Sequence, residues 1–314
     1  QIMKTFKKLL MASAVAASLG SVASAYATPI MFDLDGTGAA AAIAVDSFDW
    51  RPDNALVING ANPTVAQAGA LNVLAQGSLG SFITAGVPTV STLPIAGTEF
   101  TFQLNMWEIA PQIGSATTAL IPVSGTFNVY YGVANANQLA GTGYGDGKLI
   151  LSGAIVPGTG SYGTFTDFSL LLGTPVAGLP SLDGYTGAGT NYSNVKSDMG
   201  SGNTNLALSV ISYDSDFFKT AFTGLSVELN DTSNNTTPFL QADPAALVGG
   251  VAPVFNNVGG QQVNGQPLSC APTARCDFLI QTDAATSFNV PEPGSLALFG
   301  LGLGALGLRR RRSA

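Results

Sequence analysis

The chain has 314 residues, of which 46% are hydrophobic and 10% charged, with 38 Gly, two Cys and no His. The absence of His excludes Ser-His-Asp and Cys-His catalysis, His-liganded metal sites and a His pH switch. Two Cys are too few for a four-cysteine zinc site or an iron–sulfur cluster. We therefore expect a protein that is not an enzyme.

The net charge of −7 conceals an acidic body between two basic ends. Three lysines lie within residues 4–8 and four arginines within 309–312, so residues 28–290 hold five basic and 18 acidic residues, a net charge of −13. Nucleic-acid binding needs clustered Lys or Arg side chains. The body has no such cluster, and the composition excludes nucleic acid as a partner.

Residues 1–27 have the parts of a signal peptide: lysines at the start, an apolar run over 9–22 and small residues before a cut. Ala25 and Ala27 form the small-x-small pattern that signal peptidase accepts, so Thr28 is the expected new N-terminus. Ala23-Ser24-Ala25 offers a second cut two residues earlier. The sequence predicts an exported protein.

The segment FDLDGT, which begins at Phe32, invites three interpretations. It matches the first motif of haloacid-dehalogenase-type phosphatases, but that chemistry requires a buried parallel strand and α/β units, which the sequence does not indicate. Asp33 and Asp35 could hold Ca²⁺, with Asp46 and Asp49 as further ligands if the fold returns them. A plain Asx-turn is the third interpretation and the one we favour.

The body alternates apolar and polar residues with period two, which is typical of strands with one buried face. Only residues 64–76 suit a helix. Many short strands without helices between them predict a single antiparallel β-sandwich or jelly roll over residues 28–288. The predicted strands are 43–50, 99–109, 126–133, 148–156, 164–172, 205–213, 225–230 and 278–282.

Cys270 and Cys276 bracket a five-residue loop before the last predicted strand. In an exported protein, this spacing favours a disulfide that closes a small loop. A redox-active pair is the less favoured interpretation.

Trp50, Trp107 and the tyrosines could stack on sugars, although core packing explains most of them. Paired carboxylates could hydrolyse glycosides, but no spacing singles out two of the 18 acids. A polysaccharide-binding or polysaccharide-cleaving domain is therefore the alternative function.

Residues 289–314 contain Pro291-Glu292-Pro293, then an uncharged apolar run over 295–308, then Arg309, Arg310, Arg311 and Arg312. A helix of 14 residues covers about 21 Å, short of a bilayer core of about 30 Å, and the arginines should stay cytoplasmic. Such a span suits a temporary anchor, with a permanent anchor as the alternative.

This order of triplet, span and basic tail resembles the PEP-CTERM sorting signal. The resemblance implies a Gram-negative bacterium that produces extracellular polysaccharide. It also implies a transient stay in the inner membrane and processing near Pro-Glu-Pro by an exosortase, a membrane cysteine transpeptidase. The processed protein would then lie at the cell surface or in the extracellular matrix.

Scattered segments of the body, including 32–38, 46–50 and 139–153, are similar to flocculation-associated PEP-CTERM proteins. Residues 230–235, followed by Pro238-Phe239 and Asp243-Pro244, add to this likeness. The resemblance implies a secreted protein that helps cells aggregate into flocs or biofilm in an exopolysaccharide matrix, and it supplies no catalytic residues.

Overall fold

The computed structural model describes residues 29–38, 42–58, 70–90, 96–109, 119–158, 203–230, 246–252, 257–263, 266–269 and 277–290. The strands in these ranges are β1 Ile30–Phe32, β2 Ile43–Val45, β3 Ser47–Trp50, β4 Asp53–Ile58, β5 Ala70–Thr84, β6 Val87–Val90, β7 Thr98–Ile109, β8 Ile121–Val133, β9 Lys148–Ile155, β10 Asn203–Tyr213, β11 Gly224–Asn230, β12 Asn257–Val263, β13 Gln266–Ser269 and β14 Phe278–Asn289.

Eight strand positions form a closed antiparallel barrel in which neighbours in sequence are neighbours in space. The order is β3/β4, β5, β7, β8, β9, β10, β11 and β14, and β14 closes the ring by pairing with β3 and β4. The strands β3 and β4 share one position because the chain breaks at Arg51-Pro52, where proline has no N–H to donate to a ladder.

The expectation of an all-β fold is confirmed, but the expectation of a sandwich or jelly roll is wrong. A sandwich has two sheets with open edges, whereas β14 here pairs with the first strand unit on one side and with β11 on the other. Period-two alternation is the same in both architectures, because each presents one buried face and one outer face.

Alternating side chains fill the barrel interior. On β7, Phe100, Phe102, Leu104 and Met106 are buried in the main core, while Asn105 and Trp107, at the alternate positions, are exposed. A barrel of eight strands is narrow enough for side chains to fill. The interior is accordingly a packed core of aromatic and aliphatic groups.

One end of the barrel, here called the plugged end, is covered by β1 and by the turn between β10 and β11. The ring of Phe32 lies within 5.0–6.1 Å, centroid to centroid, of five other rings: Phe48, Phe82, Phe100, Phe217 and Phe218. The N–H of Asp33 donates to the carbonyl of Phe217 at 2.8 Å, and the N–H of Lys219 donates to the carbonyl of Met31 at 2.8 Å. Backbone bonds therefore fix the turn to β1.

The helix expected over 64–76 is wrong for residues 70–76, which belong to β5. Leu71, Val73 and Ala75 enter the main core, and Asn72 and Gln76 lie on the opposite side of the strand. Ala, Leu and Gln favour helices in isolation, but pairing with β4 and β7 buries this segment as a strand. The predicted strand 164–172 lies outside the described residues.

A smaller cluster lies outside the main core, where Val248 packs with Leu56 and Leu279. Gln76 ties the segment 246–252 to β5: its Oε1 accepts the N–H of Gly249 at 2.8 Å, and its Nε2 donates to the carbonyl of Leu247 at 3.4 Å. Within the described ranges, we find no helix that is long and apolar enough to cross a membrane.

Candidate functional site

Asp33 and Asp35, the predicted calcium ligands, lie in a turn directly after β1. Asp33 is fully buried, and its Oδ1 accepts the N–H groups of Asp35 at 3.2 Å and Gly36 at 3.1 Å, while its Oδ2 accepts that of Gly38 at 2.9 Å. The Nζ of Lys219 is 3.9 Å from the same Oδ2. These bonds form the Asx-turn arrangement, in which a side chain replaces backbone partners.

Asp35 is also held locally. The N–H and the hydroxyl of Thr37 donate to its Oδ1 at 2.9 and 2.8 Å, and these bonds lower the pKa of the Asp35 carboxyl. Among the described residues, no group of three or more His, Cys, Asp or Glu side chains could hold a metal ion. Calcium binding at this turn stays a prediction.

Asp46 and Asp49, the further ligands considered, each bond to β5 or to its turn. The Oδ2 of Asp46 accepts the N–H of Ala85, and the Oδ2 of Asp49 accepts the hydroxyl of Ser81 at 2.9 Å. The phosphatase-like motif follows a three-residue strand that pairs antiparallel with β2. Because that chemistry uses a buried parallel strand, this setting does not supply its framework.

Two carboxyl groups that the sequence patterns did not single out, Glu108 and Asp53, are buried. Glu108 on β7 is 3% exposed, its Oε2 has no hydrogen-bond partner in the described structure, and burial raises its pKa to about 8. Asp53 at the start of β4 accepts a hydrogen bond from the hydroxyl of Tyr144, and burial raises its pKa to about 6. The alternation of β7 places Glu108 with Met106, so the period-two pattern itself could have identified it.

The outer side of β7 and β8 presents a different kind of surface. Trp107 is 44% exposed, whereas Trp50 is 1% exposed and donates its ring N–H to Thr286 inside the barrel. The exposed side chains of Asn105, Ser124 and Thr126 lie beside Trp107, and we call these four residues the Trp107 face. Of the two tryptophans considered for sugar stacking, only Trp107 is accessible.

The predicted processing residues fall outside the described ranges. They are Ala25, Ala27 and Thr28 at the signal cleavage, Pro291, Glu292 and Pro293, Arg309, Arg310, Arg311 and Arg312, and the predicted disulfide pair Cys270 and Cys276. The structure does place the two ends of the fold. The strand β1 and the last residues of β14 both lie at the plugged end, where Ser287 pairs with Ser47.

Residues 289–312 match the model of the PEP-CTERM protein-sorting motif. This motif defines the class: an exported, cell-surface-associated protein that an exosortase processes. No curated protein and no solved structure matches the chain.

Proposed function

We propose that the barrel is a non-enzymatic matrix protein that promotes cell aggregation in flocs or biofilm after its sorting tail is processed. The sorting motif at residues 289–312 is the observation that carries this proposal, because it directs the barrel to the cell surface. The likeness of the body segments to flocculation-associated proteins supplies the specific role. Exosortase and signal peptidase are the processing partners, and extracellular polysaccharide is the proposed matrix partner.

The barrel's chemistry supports a role without catalysis. Of the three described carboxyl groups with raised pKa values, Asp53 and Glu108 are 5% and 3% exposed, whereas Asp283 is half-buried on β14, and burial and the charge of Asp49 raise its pKa. A glycosidase needs two carboxyl groups at the scissile bond, and a polymer chain would reach neither Asp53 nor Glu108 in the folded barrel. Binding of polysaccharide, as opposed to its cleavage, remains the second candidate because Trp107 is exposed.

Deletion of the gene in the native strain tests the role directly. We expect cells without the protein to settle more slowly, and full-length protein to restore aggregation. A variant that lacks residues 291–314 keeps every described residue of the barrel, so we expect it to be exported, absent from the surface and unable to restore aggregation.

Mass spectrometry of surface protein from the same strain should find chains that begin at Thr28 and end near Pro291 or Pro293. Unchanged settling after deletion would refute the aggregation role. Chains that still end at Ala314 would refute processing and indicate a permanent anchor.

A further inference from the structure

The charges of the barrel are unevenly distributed. Near the plugged end lie the charged side chains of Asp35, Asp46, Glu99, Asp146, Lys148, Asp214, Asp216 and Lys219, all at strand ends or in the adjoining turns. By contrast, no charged side chain points outward from the described residues of one part of the wall. This part consists of 103–109 of β7, 121–128 of β8, 152–154 of β9 and 207–209 of β10. The wall that includes the Trp107 face is therefore polar but uncharged.

The strand register gives this wall a defined geometry. Asn105 pairs with Thr126, Thr126 with Ala154, and Ala154 with Ser209, so one row of small side chains crosses four strands. With neighbouring strands about 4.8 Å apart, the row is roughly 14 Å long, and Trp107 stands about 7 Å from Asn105 along β7. A bulky ring thus borders one end of a shallow polar row.

The polar groups beside Trp107 are oriented by bonds within the wall. The Nδ2 of Asn72 donates to the Oδ1 of Asn105 at 2.7 Å and to the carbonyl of Met106 at 3.0 Å. Because the oxygen of Asn105 is used in this bond, its amide nitrogen is the group that can donate outward. Ser124 and Thr126 add exposed hydroxyl groups that can donate or accept.

These features match the two surfaces of a sugar ring. The C–H face of a pyranose is apolar and packs against an aromatic ring, while its hydroxyl groups exchange hydrogen bonds with amides and hydroxyls. We propose that the Trp107 face, continued along the row to Ser209, binds a linear uncharged polysaccharide chain. This inference rests on the proposed matrix function and names the partner and the site by which the barrel holds it.

Charge selects the occupant of the site. The body carries a net charge of −13, which repels an anionic polymer at low salt, and the wall offers no cation to pair with carboxylate or sulfate groups. Ile109 and Ile121 border Trp107 and are 40% and 37% exposed. Because of these two apolar side chains, a second copy of the chain could also occupy the Trp107 face. The experiment must therefore distinguish self-association from glycan binding.

The test uses the purified secreted protein and neutral hexasaccharides, with β-1,4- and β-1,3-linked glucose oligomers as probes and a polygalacturonate oligomer as the anionic comparison. Isothermal titration should detect binding of at least one neutral probe. Trp107→Ala should weaken it on the order of tenfold, whereas Trp107→Phe, which keeps a ring, should retain most of it. Val87→Ala is the matched control, because Val87 is 61% exposed at the plugged end.

Thr126→Lys, which adds a long side chain in the middle of the row, provides a second perturbation if Trp107→Ala does not fold. The proposal would be overturned if no neutral probe binds or if the protein prefers polygalacturonate. It would also be overturned if Trp107→Ala and Thr126→Lys bind the neutral probes as tightly as the wild type. Sedimentation that shows a wild-type dimer dissociated by Trp107→Ala would overturn it as well, since the face would then join two copies. If the variant loses glycan binding but still restores aggregation to the deletion strain, the site stands and the proposed mechanism of aggregation fails.

Discussion

Glu108 gives the barrel a stability that falls as the pH rises. Burial raises the pKa of Glu108 from its ordinary value of 4.5 to about 8, so between these values the folded protein holds a proton that the unfolded chain has released. The stabilisation from this group is fully present below pH 4.5 and is lost as the pH rises through 8. At about 1.4 kcal/mol per pKa unit, the loss is roughly 3 kcal/mol by pH 7 and about 5 kcal/mol above pH 8.

Glu108→Gln removes the titration and nearly preserves the shape of the side chain. Its amide group carries a buried donor that costs about 1–3 kcal/mol if it finds no partner, so the slope with pH is the readout, not the absolute stability. We expect the free energy of unfolding, measured in urea between pH 6.5 and 8.5, to fall for the wild type and to stay level for the variant. This window lies above the raised pKa of Asp53, about 6.

Asp216→Asn, at an exposed position of the turn after β10, is the matched control and should retain the wild-type slope. An equal slope in Glu108→Gln and the wild type would refute the reasoning. A level wild-type curve would do the same, because it would mean that the carboxyl group is solvated or bonded in solution.

Tyr144→Phe should destabilise the barrel by about 1–3 kcal/mol, and more at pH 8 than at pH 5, because the lost hydrogen bond favours the ionised form of Asp53; urea denaturation at both pH values tests the difference. Phe32→Ala should cost about 3–5 kcal/mol because the ring contacts five others at the plugged end, and a melting temperature near that of the wild type would contradict this packing. Gly125→Ala should cost more than about 1 kcal/mol, since a Cβ there would lie 2.3 Å from a backbone oxygen of β7. Gly38→Ala adds a Cβ that has no atom of a non-neighbouring residue within 4 Å, so in the same thermal assay its destabilisation measures the cost of the positive φ alone.

The sequence predicted the long barrel strands well where alternation was strong. The strand expected over 99–109 is β7, and the strand expected over 148–156 is β9 with one residue fewer. Alternation failed at β5, where helix-favouring residues hide the period. The last predicted strand stopped five residues into β14, whose remaining residues, DAATSFN, do not alternate strictly between apolar and polar types. Those later residues pair with β3 and β11, so the missing part of β14 was the part that closes the barrel.

At the candidate sites, too, the sequence predicted contacts between residues close in the chain but not contacts that depend on strand pairing. The Asx-turn at Asp33 was predictable, because its bonds span two to five residues. The burial of Glu108 and the exposure of Trp107 depend on which side of β7 faces the interior. The row from Asn105 to Ser209 joins residues about a hundred positions apart, and only the strand register brings them together.

The fold and the sorting signal meet at the end of β14, and truncation tests how closely they depend on each other. The motif begins at residue 289, while Asn289 is still paired with Gly224 and Val290 packs against the main core. A chain that ends at Val290 keeps every β14 pairing, so we expect it to melt cooperatively at the temperature of the longer protein. A chain that ends at Thr282 loses all pairing between β14 and β11 and the packing of Phe288, which is 1% exposed. Because this opens the barrel, we expect no cooperative transition from the shorter chain. A cooperative transition in it would mean that the barrel does not need β14 to close.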